Sequence, residues 1–134
     1  MATTTATIAI SSSDIMSGQI VSLSKSNTLK QAGVKTGIEQ TTGLAMKTLE
    51  SVSKVDLITY DNDNIVGNAA KLYVKNTSSS TDQYVQVLVN SEEFARLYGG
   101  DFMFIPYQGG SGEDIEVQPS TSAKVTLEYI AFFK

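Results

Sequence analysis

The sequence predicts an all-β protein: an antiparallel β-sandwich or jelly-roll-like single domain with an extended N-terminal segment. Three observations carry this. Apolar residues recur at every second position in several short runs, the period of a half-buried strand. Ser and Thr make up roughly a fifth of the chain, and these residues favour strands and turns over helix interiors. The runs are short and separated by turn-forming residues, as in sandwiches and jelly rolls.

Thr4–Ile10 alternates, with Ala6, Ile8 and Ile10 on one face and Thr5, Thr7 and Ala9 on the other. This is an extended arm, residues 1–18 in all, or an edge strand of the sandwich. Ser11-Ser12-Ser13-Asp14 reads as a turn and Ile20–Leu29 as a second strand. Residues 31–43 are polar and broken by Gly33, Gly37 and Gly43, a long surface loop. Leu44–Val52 fits a strand or a short helix, and Val55–Tyr60 a strand. Lys71–Asn76 and Gln83–Asn90 alternate on either side of a Ser/Thr-rich stretch, which predicts a hairpin. Ser91–Tyr98 predicts a short helix: Ser91 as N-cap, Glu92 and Glu93 in the first turn, Gly99-Gly100 as the stop. Phe102–Ile105, Ile115–Val117 (ended by Pro119) and Lys124–Phe132 close the set of strands.

The chain of 134 residues suits one domain, 1–134, able to hold a core without covalent staples. It has no Cys and no His. That removes thiolate and imidazole metal ligands, the Cys nucleophile and the commonest general base. The expectation is a protein that is not an enzyme, with no catalytic, cofactor or metal residues. Net charge is −4 and the basic residues are scattered, so nucleic acid is not an expected partner. No apolar run reaches the ~18 residues of a membrane helix, so neither is a membrane. The opening Met1–Thr5 lacks the basic and apolar parts of a secretory leader.

Several local patterns invite chemistry and fail its requirements. Asp61-Asn62-Asp63-Asn64 offers calcium-type oxygens, but Val66 and Leu72 stand where an EF-hand loop needs Gly and Glu. Gly33–Gly37 and Gly109–Gly112 do not match a phosphate loop. Asp101, Glu113, Asp114, Glu116 and Glu128 could supply a carboxylate pair only if a cleft brought two together. Asn76-Thr77-Ser78 is formally a glycosylation sequon and reads as a turn.

The aromatic concentration Phe94–Tyr107 is more telling. In a strand Phe102 and Phe104 share one face, Met103 and Ile105 the other, so both faces of this strand are apolar. One belongs to the core; the second lies under another layer of the monomer or under a partner. Ile8, Ile10, Tyr98, Phe102, Phe104 and Tyr107 are the candidate interface residues.

Local phrases add a resemblance. Ser12-Ser13-Asp14-Ile15 comes first, then Ser26-Asn27-Thr28-Leu29-Lys30-Gln31-Ala32-Gly33 and Thr36-Gly37-Ile38-Glu39-Gln40-Thr41-Thr42-Gly43-Leu44. Near the end come Arg96-Leu97-Tyr98-Gly99-Gly100-Asp101-Phe102-Met103-Phe104-Ile105-Pro106 and Leu127-Glu128-Tyr129-Ile130-Ala131-Phe132-Phe133. Over nearly its whole length the chain resembles small virion structural proteins of tailed bacteriophages. The resemblance implies a virion component made in the host cytoplasm, with capsid decoration (cement) the most natural role. It implies binding to the major capsid protein or other virion proteins, as a homo-oligomer on the particle, and carries over no catalytic residues. The alternatives are a tail, neck or fibre-attachment component, or a carbohydrate-binding module using Tyr73, Tyr84 and Tyr107.

Overall fold

The computed structural model describes residues 4–16, 19–30, 38, 40–59, 70–107 and 112–133. Every helix or strand among them is a strand, and every strand pairing is antiparallel. The chain divides into two compact units, residues 1–39 and 40–134, where length alone suggested one domain.

The first unit is a hairpin of β1 (Thr5–Met16) and β2 (Gln19–Thr28). The N-terminal segment is thus neither a lone arm nor an edge strand of a sandwich; its partner is the strand that follows it. The predicted turn at Ser11–Asp14 lies inside β1, with Ser11 opposite Ser22 and Ser12 opposite Val21. Serine permits a turn without demanding positive φ; the ladder runs on through Ser12, and its register shifts between Ser12 and Met16.

The second unit holds β3 (Gln40–Thr41), β4 (Ala45–Leu49), β5 (Val55–Ile58), β6 (Ala70–Asn76), β7 (Tyr84–Val89), β8 (Glu92–Tyr98), β9 (Phe102–Tyr107), β10 (Ile115–Pro119) and β11 (Val125–Phe133). One sheet runs β5-β10-β7-β8; the other runs β3-β11-β6-β9, with β4 also on β11. The pairings nest: β7 with β8, β6 with β9, β5 with β10, β4 with β11. β4 to β11 therefore trace one long hairpin, folded back between β7 and β8 and rolled into two layers. That is jelly-roll topology, as the sequence predicts. Leu72, Val74 and Leu127 from one sheet and Val85, Val87, Ile115 and Val117 from the other are completely buried between them.

Three expectations change. Ser91–Tyr98 is strand β8, not a helix. Asn90 and Ser91 both have positive φ (50° and 64°), the signature of a two-residue type I′ hairpin turn, whose twist matches the strands it joins. Ala95 and Leu97 then face the core while Arg96 and Tyr98 face out. A one-residue shift opposite Val87 and Leu88 leaves Phe94 as the extra, half-exposed residue of a bulge.

Second, Lys71–Asn76 and Gln83–Asn90 are not a hairpin: β6 and β7 lie in different sheets, and residues 77–83 cross between them. Asn76, fully buried, holds the crossing. Its side-chain N–H donates to the Leu97 carbonyl and its Oδ1 accepts the Ser78 N–H, both at 3.0 Å. Its backbone N–H donates to the Asp101 carbonyl, and its carbonyl accepts the Gly100 N–H. Gly99 is needed here, because a Cβ would stand 2.3 Å from the Ser80 carbonyl oxygen. A buried, engaged Asn76 also cannot carry a glycan in the folded protein.

Third, the predicted loop over 31–43 ends in structure: Gln40 and Thr41 form β3 against Phe133 and Phe132. Thr42 accepts the Ala131 N–H with its hydroxyl and returns its own N–H to the Ala131 carbonyl. Ile38 is buried, and 31–37 lie outside the described residues.

Candidate functional site

No cluster of three or more metal-ligating side chains occurs among the described residues. Asp61–Asn64, Gly33–Gly37 and Gly109–Ser111 lie outside them. Three of the acids considered for a carboxylate pair are engaged separately. Asp101 accepts the Tyr98 N–H, Glu128 accepts the Tyr73 hydroxyl, and Glu116 bonds Lys54 at 2.7 Å and the Ser91 N–H at 2.8 Å. Burial alone would raise the Glu116 pKa; Lys54 and Ser91 outweigh it and hold the carboxyl below its ordinary value. This trio ties the β7–β8 turn to β5 and β10. What the structure does offer is surface.

The hairpin has two unlike faces. Thr5/Thr28, Thr7/Ser26, Ala9/Ser24 and Ser11/Ser22 are cross-strand pairs on one of them. The hydroxyls of Thr7 and Ser26 meet at 2.7 Å. The other face pairs Ala6/Asn27, Ile8/Lys25, Ile10/Leu23 and Ser12/Val21. Ile8, Ile10 and Leu23 are 49%, 53% and 40% exposed. Alternation places these apolar residues together, and each remains about half exposed.

The outer face of the larger sheet also carries apolar residues, set among charged ones. Its inward residues serve the core: Leu72, Val74, Val125, Leu127 and Ala131, with Met103 and Ile105 packed against them. The alternate positions point away. Across the strands, one row reads Met46, Glu128, Lys75, Phe102; the next Ile130, Tyr73, Phe104; the next Thr41, Phe132, Lys71, Pro106. Met46 and Phe102 are each 65% exposed. The Tyr73 ring leans on Phe102 at 6.3 Å between centroids. Burial first, and then its bond to Glu128, push the Tyr73 pKa up.

On the outer face of the smaller sheet, Tyr84 and Tyr98 are tilted against each other with centroids 5.3 Å apart. The Arg96 guanidinium sits 4.7 Å over the Tyr84 ring, a cation–π geometry. Arg96 and Gln86 both donate to the Glu93 carboxylate. The bond to Arg96 is the main cause of a lowered Glu93 pKa, and Glu93 in turn raises that of Arg96.

The six candidate residues thus scatter. Ile8 and Ile10 lie together on the hairpin. Phe102 and Phe104 share the outer face of the larger sheet, with Phe104 half-buried. Tyr98 belongs to the other sheet. Tyr107 is buried: at the end of β9 it points inward like Met103 and Ile105, and its hydroxyl donates to the Glu113 carbonyl. Burial, with Asp114 and Glu113 nearby, pushes its pKa up to about 12. Tyr73, Tyr84 and Tyr107 form no common platform for a sugar: one lies on each outer face and the third inside. Sequence reading missed Met46, Leu23, Ile130 and Phe132 as members of these faces. Only the cross-strand register brings them in.

No protein-family model, curated protein or solved structure matches the chain.

Proposed function

We propose that this protein is a non-enzymatic structural component of a bacteriophage virion, a capsid decoration protein that binds and stabilises the capsid lattice. The observation that carries the binding role is the hairpin. A two-stranded ribbon is marginal in water, and this one leaves its apolar stripe of Ile8, Ile10 and Leu23 about half exposed. Its other face carries mainly hydroxyls, suited to water or to polar contacts. Such a ribbon gains its missing burial on a second surface. The resemblance of the chain to virion proteins of tailed bacteriophages supports the capsid as that surface. Binding the assembled lattice in preference to free subunits would raise the free energy needed to break the shell.

The test uses particles lacking the native protein. The full chain should co-sediment with them and shift their thermal rupture upward. The triple variant Ile8→Ser, Ile10→Ser, Leu23→Ser should lose most of that binding. Binding that survives the triple change would remove the hairpin from the contact. Binding to tails but not to heads would move the protein to another part of the virion.

A further inference from the structure

We propose that the outer face of the larger sheet is a self-complementary interface through which two copies of this chain form a symmetric dimer. The inference does not rest on the virion reading. It follows from how charged and apolar residues are placed about the middle of that sheet.

The four principal strands run β4, β11, β6, β9. Place a two-fold axis in the plane of the interface, parallel to the strands and midway between β11 and β6. It lays β11 of one copy on β6 of the other, and β4 on β9. Residues in the same row then exchange partners. Glu128 of each copy meets Lys75 of the other, because the two are opposite each other within the sheet. Ile130 meets Tyr73, and the Phe132 ring meets the Lys71 ammonium, for the same reason. At the margins Met46 meets Phe102, the two most exposed apolar residues of the face. Every contact occurs twice, as an isologous interface requires. An axis at right angles to the strands would instead put the Lys75 row on the Lys71 row, cation against cation.

Sheets pack face to face at roughly 10 Å with strands crossing near 30°, which keeps these row partners within side-chain reach. Four strands at ~4.8 Å and about seven residues at ~3.4 Å give a footprint of roughly 450 Å² per copy. That falls below the ~800 Å² per partner of a standard stable interface. The dimer is therefore a dissociable one, filled at high protein concentration or where a lattice holds neighbours close.

Sedimentation velocity of the full chain from tens of micromolar to about a millimolar should show a monomer–dimer equilibrium. Phe102→Lys and Met46→Lys should each raise the dissociation constant by about tenfold or more. Both sites are exposed, so the melting temperature should hold. Lys75→Glu should weaken the dimer, and adding Glu128→Lys should restore it. The chain has no Cys, so geometry can be read directly. An equimolar mixture of Met46→Cys and Phe102→Cys chains should cross-link with a short bis-maleimide, and neither alone should. A monomer at every concentration would overturn the proposal. So would association untouched by Phe102→Lys and Met46→Lys, or Phe102→Cys cross-linking to itself as readily as to Met46→Cys.

Discussion

The two units of this chain use one device, the alternating strand, to opposite ends. In the jelly roll, alternation drives Leu72, Val74, Val85, Val87, Val117 and Leu127 into a shared core with no exposure. In the hairpin the same period gathers Ile8, Ile10 and Leu23 on one side and leaves them about half uncovered. A second sheet makes the difference: one apolar face is a core only when another lies over it. Stability in this molecule should therefore be concentrated in residues 40–134, and the hairpin should contribute little to their unfolding.

The largest effect expected from that contrast is in the jelly-roll core. Leu127→Ala removes a fully buried side chain where both sheets meet, and should cost about 3 kcal/mol by urea unfolding. A loss near that of an exposed site, below about 0.5 kcal/mol, would mean that the two sheets are not packed as one core. Next is the clamp between them. Asn76→Ala takes the side-chain partner from the buried Leu97 carbonyl and the partly buried Ser78 N–H, at a cost of about 2 kcal/mol. The same measurement should find Asn76→Asp no better, because a carboxylate cannot donate to Leu97.

How much of this was legible in the sequence divides along the same line. Alternation in Lys71–Asn76, Gln83–Asn90 and Lys124–Phe132 separated two faces in each run. Leu72, Val74, Val85, Val87, Val125, Leu127 and Ala131 are buried together on one of them, but Leu88, on the opposite face of its run, is buried as well. Alternation carried no information about which strand lies beside which. Two alternating runs with a polar link look the same whether they pair or cross between sheets, and the crossing at residues 77–83 is settled by Asn76 and Gly99, each a single residue with a distant partner. Ser91–Tyr98 was ambiguous for a chemical reason. A Ser followed by two Glu caps a helix, and an Asn-Ser pair also accepts the positive φ of a type I′ turn. The core needed Ala95 and Leu97 inward, a period of two, and that decided between them. The outer faces were half legible: Phe102 and Phe104 stand out by composition, whereas Met46, Ile130 and Phe132 join them only through register.

A smaller effect is expected at the β7–β8 turn. Glu116 has its pKa lowered in the folded protein by Lys54 and the Ser91 N–H. A carboxyl with a lowered folded pKa contributes stability above its unfolded value, near 4.5, and that contribution is lost as pH falls through the folded value. Wild-type stability should therefore decline on acidification below about pH 4.5 more than that of Glu116→Gln. At pH 7 the substitution itself should cost no more than about 1 kcal/mol, the ceiling for most surface ion pairs. Parallel acid profiles for the two proteins would show that the trio does not link pH to folding.

The smallest effect is the one that separates the units most sharply. Ile8→Ser and Ile10→Ser together leave every contact in residues 40–134 untouched by sequence, and the side chains they remove are already about half in water. Burying an isoleucine fully is worth about 1.5–3 kcal/mol, but these two collect only part of that, inside a ribbon that is marginal on its own. The main unfolding transition should move by less than about 0.5 kcal/mol. Amide exchange should resolve the two units in the unmodified chain: slow for Leu72, Val74, Val85 and Leu127, fast through β1 and β2. If the double substitution instead lowers the main transition by as much as Leu127→Ala does, the hairpin is part of the cooperative core. Its exposed isoleucines would then be no sign of a partner. If the transition holds while attachment to particles fails, burial of the apolar stripe belongs to the complex and not to the fold.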